Sequence, residues 1–197
     1  MFSKGGIRRQ KYTYPALIFA MYKHATLVGK AQAHVCPPVR LTTQEEEEEE
    51  EEKKLRPPQI TLQKIFYQVN ELTNQLSSHY PEVTLRLLLQ GCLCINSIFD
   101  KSNHLEDLAY DFASHALLVY QDELSDSEAR FSSINLIVST LSHLRCFNQE
   151  NQDTLCTNTA QYCNKLLKKP NQCSAISMCT HLFMNHGPVC PERLSPC

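Results

Sequence analysis

Between Pro58 and Phe183 the chain repeats one pattern: an amphipathic helical stripe, a short polar turn, then another stripe. Stripe starts fall near residues 59, 81, 104, 126, 151 and 171, about 22 residues apart and about 44 per helix pair, a period within the HEAT-like range. Ile65, Val69, Leu72 and Leu76 stand at i, i+4, i+7 and i+11, one face of a helix. Leu85, Leu88, Leu89, Cys92 and Leu93 carry the next helix, apolar around much of its girth and therefore packed on most sides. Leu105, Leu108, Ala109, Phe112, Ala116 and Val119 follow, then Ile134, Ile137, Leu141 and Leu144. Leu155, Thr159, Cys163, Leu166 and Leu167 form the fifth stripe; Cys173, Ile176, Cys179, Leu182 and Phe183 form the sixth. One such pair buries too little apolar surface to offset the entropy of ordering it, so neighbouring pairs must stack. The expected fold is all-α: a HEAT-like α-solenoid of antiparallel helix pairs. Only five glycines in 197 residues agree with that class.

Punctuation between the stripes is specific. Ser125 followed by Glu128 reads as a capping box, in which the serine hydroxyl and the glutamate side chain satisfy each other's free amides. Asp122, Glu123, Asp126 and Glu128 place negative charge beside the positive end of the helix dipole. Asn151 and Asp153 offer N-caps for the fifth helix; Lys165, Lys168 and Lys169 suit its negative end, and Pro170 is expected to stop it.

The flanks differ from this core. Residues 1–44 hold no Asp or Glu but carry Lys4, Arg8, Arg9, Lys11, Lys23, Lys30 and Arg40. The apolar run Tyr14–Tyr22 imitates a leader, but Pro15 inside it and Lys23-His24 after it favour a helix opening at Pro15. Residues 1–11 are expected to be disordered, residues 12–184 to form the solenoid, and residues 185–197, with three prolines and a glycine, to form an irregular tail. An acidic loop at 30–57 interrupts the solenoid; its eight consecutive glutamates, Glu45 to Glu52, repel one another at helical spacing.

No site chemistry stands out. A net charge of -2 argues against a nucleic-acid binder, and no run approaches the ~18 apolar residues of a membrane span. Cys92, Cys94, Cys146, Cys163, Cys173 and Cys179 fall in helical patterns, where reduced thiols act as small apolar groups; the expected compartment is cytosolic. Cys173, Cys179, His181, His186, Cys190 and Cys197 cluster late in the chain but lack a Cys-x2-Cys knuckle, so no metal site is assigned. Cys92 and Cys94 point to different helix faces and do not make a redox pair. His79, His104, His115 and His143 are scattered singly. No catalytic residue, cofactor site or partner-contact position is assigned. The chain reads as a non-enzymatic scaffold.

Several segments carry a family resemblance. Leu108-Ala-Tyr-Asp-Phe, Leu118-Val-Tyr-Gln-Asp-Glu-Leu-Ser-Asp-Ser-Glu-Ala, Lys165-Leu-Leu-Lys-Lys-Pro-Asn-Gln-Cys and Cys179-Thr-His-Leu-Phe resemble the retromer large subunit family, vacuolar protein sorting-associated protein 35. Leu85-Arg-Leu-Leu-Leu-Gln and Tyr14-Pro-Ala-Leu-Ile-Phe follow the same pattern. The resemblance implies part of the family's C-terminal α-solenoid, within a coat that carries cargo from endosomes toward the Golgi. It implies a cytoplasmic protein held peripherally and indirectly at endosomal membranes. The implied partner is the small retromer subunit with a phosphoesterase-like fold. The arrestin-like subunit is not implied, because the family's N-terminal half is not among these residues. The rival readings are an unrelated HEAT-like adaptor and a zinc-binding module built on the late Cys and His residues.

Overall fold

The computed structural model describes residues 4–34, 62–98 and 105–184. They form seven helices: α1 (Lys4–His34), α2 (Leu62–Ser77), α3 (Pro81–Ile98), α4 (Glu106–Asp122), α5 (Ser127–His143), α6 (Gln149–Asn164) and α7 (Lys169–Met184). No strand occurs among the described residues. The helices alternate between two rows. α1, α3, α5 and α7 pack on one another in sequence as row one; α2, α4 and α6 form row two, and packing between successive helices is denser in row one. This is the expected all-α solenoid of stacked helix pairs.

α3 is the hub, as its apolar girth predicts. It packs on α1, α2, α4 and α5 and buries Leu85, Leu87, Leu88, Leu89, Cys92, Cys94, Ile95 and Ile98. An aromatic line crosses the stack beneath it: Tyr22 to Phe66 at 6.2 Å between ring centroids, then Phe66 to Phe112 edge-on at 5.9 Å. Two glycines permit these close approaches. A Cβ on Gly91 would lie 2.6 Å from Phe112 Cδ1 and 2.7 Å from Tyr22 Oη; one on Gly29 would lie 2.9 Å from Ile98 Cβ. The Tyr22 hydroxyl donates to the Leu87 carbonyl at 2.9 Å, which satisfies its one polar atom in the core.

The turns between helices are tied by side chains. The Arg145 amide donates to Asn96 Oδ1 at 2.8 Å. The Asn148 amide and Asn151 Nδ2 both donate to Glu106 Oε1, at 2.8 and 2.9 Å. The α5–α6 turn is thereby fastened to α3 and α4.

Several expected boundaries move. α1 begins at Lys4, inside the 1–11 segment expected to be disordered, and runs through Pro15. Proline lacks an amide to continue the helix, but tertiary contacts hold the turn before it. Tyr14 Oη donates to Gln75 at 3.3 Å, and Lys11 Nζ lies 5.6 Å from the Tyr80 ring centroid. α1 also extends to His34, into the residues assigned to the acidic loop; the rest of that loop, and the tail at 185–197, lie outside the described residues.

The capping box is not formed. Asp126 is the N-cap of α5, accepting from the Glu128 and Ala129 amides at 3.1 and 2.8 Å. A carboxylate is the stronger acceptor, and it displaces the serine by one position. Asn148, not Asn151 or Asp153, caps α6, accepting from the Asn151 amide at 2.8 Å. α6 ends at Asn164, so Lys168 and Leu167 lie in the following turn and Pro170 sits in the first turn of α7 rather than ending α6. There a missing amide costs nothing. Cys146 is buried in a turn, not in a helix. On α7 the buried set is Ala175, Cys179 and Leu182; Cys173, Ile176 and Phe183 are exposed. α7 meets only α5 and α6 among the described helices, which covers one narrow face.

Candidate partner-binding faces

The outer surface of row one carries a shallow groove of about 540 Å³ that crosses three helices. Phe19 on α1 forms one end. Arg86, Leu89, Gln90 and Leu93 on α3 form the floor and rim, and Ser132, Asn135, Leu136 and Ser139 on α5 close it. Phe19 is 52% exposed and Leu136 is 38% exposed; on α5 the apolar neighbours Ile134, Ile137, Val138 and Leu141 are buried. Within it Asn135 Oδ1 is shut away from solvent and has no hydrogen-bond partner. A buried acceptor left unpaired costs free energy. The groove is thus an apolar strip with polar edges, the makeup of a protein-docking face.

A second groove, of about 840 Å³, lies between α1 and α2. Ala20, Met21 and His24 face Gln63, Lys64, Ile65, Tyr67 and Gln68 across it. Leu17, Leu27 and Tyr67 are also exposed on these helices.

A third feature lies where the α4–α5 and α6–α7 turns meet. Ser125, Ser127, Arg130, Lys165, Leu166 and Leu167 line a cavity of about 210 Å³. The Arg130 guanidinium donates to the Leu124 carbonyl at 3.0 Å and lies 4.9 Å from the Tyr120 ring centroid. Lys165 Nζ lies 5.5 Å from the Tyr162 ring centroid. Glu128 does not turn back to Ser125; its carboxylate pairs with Lys168, which raises the lysine's pKa.

The thiols are placed for packing. Cys92 Sγ donates to the Ala109 carbonyl at 3.7 Å, toward α4, whereas Cys94 Sγ donates to the Tyr22 carbonyl at 3.5 Å, toward α1. The two do point to different faces. Burial pushes Cys146 and Cys156 up to about 11 and raises Cys92 further. Cys163 and Cys179 share a hydrogen bond between α6 and α7 that raises the first and lowers the second. Of the late Cys and His group, Cys179 is buried, Cys173 and His181 are exposed, and His186, Cys190 and Cys197 lie outside the described residues. Among the described residues no three His, Cys, Asp or Glu side chains gather as metal ligands. His115 bonds to Asn70 Oδ1 at 3.1 Å, and burial lowers its pKa; His143 Nδ1 bonds its own helix at the Ser139 carbonyl, 2.7 Å. His104 lies outside the described residues. No helix among the described residues is long and apolar enough to cross a membrane.

Comparison with known proteins adds the lineage. Residues 1–197 match the family described as Vps35, vacuolar protein sorting-associated protein 35. The chain belongs to the Vps35 family. Among its relatives, vacuolar protein sorting-associated protein 35B of Arabidopsis thaliana is 36% identical over 185 residues, covering 93% of this chain and 20% of the relative. Protein 35C of the same plant is 40% identical over 124 residues, covering 62% of this chain and 15% of the relative. Vacuolar protein sorting-associated protein 35 of Schizosaccharomyces pombe is 35% identical over 100 residues, covering 51% of this chain and 12% of the relative. The chain therefore spans about a fifth, or less, of the curated Vps35 relatives it matches. Neither groove was legible beforehand: Phe19 and Leu136 read as ordinary helix residues, and a polar residue facing a partner looks like one facing water. The one available signal was an apolar side chain lying off the buried stripe of its own helix.

Proposed function

We propose that this chain is a scaffold segment of the retromer large subunit, acting without catalysis in endosomal sorting and retrograde transport toward the Golgi. Its place is the cytoplasmic side of the endosome, held there through other coat proteins. The partner is the small retromer subunit with a phosphoesterase-like fold, seated on row one. Family membership and the two-row solenoid support the scaffold role. The observation that carries the docking site is the groove from Phe19 to Leu136, with both of these apolar side chains exposed. Aromatic and aliphatic anchors at the centre of such a strip carry most of a docking energy.

The test is calorimetric titration of the chain with the small subunit. Leu136→Asp and Phe19→Asp alter exposed positions, so helicity should persist while affinity drops at least ~10-fold. Absence of binding by the well-folded parent chain would discard the partner assignment. Binding undisturbed by both substitutions would discard the groove.

A further inference from the structure

Ser125 and Glu128 form a pattern that the fold leaves unused. Asp126 takes the cap and Glu128 takes Lys168, so the Ser125 hydroxyl has no protein partner among the described residues. It lies exposed in the short turn between α4 and α5, one position outside the α5 N-cap. Asp126 and Glu128, one and three positions after it, and Asp122 and Glu123 before it, make an acidic setting around an accessible serine. A kinase with a cationic substrate groove is complementary to such a segment.

The surroundings are also prepared for the product. The cavity beside Ser125 is lined by Arg130 and Lys165, brought together from α5 and the α6 end. Neither cation has a carboxylate partner among the described residues: Arg130 meets a carbonyl and a ring, Lys165 a ring. The carboxylates of Asp126 and Glu128 are already engaged, the first by two amides and the second by Lys168. A phosphate on Ser125 would thus meet the positive end of α5 and two cations that lack a carboxylate partner.

We propose that Ser125 is a phosphorylation site for an acid-directed serine kinase, with Arg130 and Lys165 receiving the phosphate and fastening the α4–α5 turn to the α6–α7 turn. In the transfer Ser125 Oγ forms a bond to the γ-phosphorus of ATP. The bond from that phosphorus to its bridging oxygen breaks, ADP leaves, and the hydroxyl proton passes to the kinase's base. Ser127 lines the same cavity and is flanked by Asp126 and Glu128, but the third residue after it is Arg130, whereas the third residue after Ser125 is Glu128.

The experiment treats the purified chain with ATP and an acid-directed serine kinase, then maps the phosphate by mass spectrometry. Ser125 should carry it, and Ser125→Ala should lose at least ~90% of incorporation if the acidic setting directs the kinase. The phosphorus resonance of the modified chain is then titrated. Its midpoint should lie below the usual ~6 of a phosphoserine, and Lys165→Ala should move it back up. Lys165 is exposed, so that variant keeps the fold. Phosphate found only on other residues overturns the proposal, as does a midpoint that is the same in the parent and Lys165→Ala chains.

Discussion

Gly91→Ala sets two known effects against each other. Alanine is the better helix former, and in an exposed helix interior the exchange stabilises by ~0.5–1 kcal/mol. At this position the added methyl would sit 2.6 Å from Phe112 Cδ1 and 2.7 Å from Tyr22 Oη. Neither atom can withdraw cheaply. The Phe112 ring is 1% exposed and braced edge-on by Phe66, and the Tyr22 hydroxyl is committed to the Leu87 carbonyl. Overpacking of this kind costs ~1–3 kcal/mol, and loss of the tyrosine hydrogen bond adds ~1 kcal/mol. The net expectation is a destabilisation of ~1–3 kcal/mol, after subtracting the propensity gain. Urea unfolding followed by circular dichroism at the helical band measures it, and in a thermal scan the melting midpoint should fall ~2–4 °C for each kcal/mol. Phe112→Leu in the same chain removes the ring edge, so the double variant should lose less than the sum of the singles. An alanine variant more stable than its parent would refute the claim that α3 rests against α1 and α4 at this residue.

Other outcomes follow from the same structure. Asp126→Ala should cost ~1 kcal/mol, whereas Ser125→Ala in unmodified protein should change stability by no more than a few tenths; equal losses in urea unfolding would restore the serine as the cap. In native protein an alkylating reagent should modify Cys173 before the other described cysteines, because it is exposed and they are buried. Cys146 and Cys156, buried and pushed up to about 11, should stay unlabelled until denaturant is added, as peptide mapping would show. His115, whose pKa is lowered by burial, binds its proton more weakly folded than unfolded. Its contribution is therefore present above the unfolded value near ~6.5 and lost as pH falls from there through the lower folded value. His115→Gln should flatten the acid side of the stability profile, and an unchanged profile would show that other groups set it.

The repeat was readable because periodic stripes must face neighbours: starts expected near 59, 81, 104, 126, 151 and 171 correspond to helices beginning at Leu62, Pro81, Glu106, Ser127, Gln149 and Lys169. Caps were less readable, since Ser125 and Asp126 are adjacent acceptors and the choice rests on charge and on where Lys168 folds back. Pro15 was misread for a different reason: the contacts that carry α1 through it come from Gln75 and Tyr80, far along the chain. On α7 the stripe was apolar enough to read as buried, but burial also needs a neighbour, and only Ala175, Cys179 and Leu182 have one.

The uneven knitting of the two rows has a mechanical consequence. An array of this kind is a laminated beam with one stiff ply and one compliant ply. Bending strain concentrates in the compliant ply, where α2, α4 and α6 can spread apart while the spacing of α1, α3 and α5 hardly changes. A ligand clamped to the stiff side would keep its footing while the beam flexes beneath it.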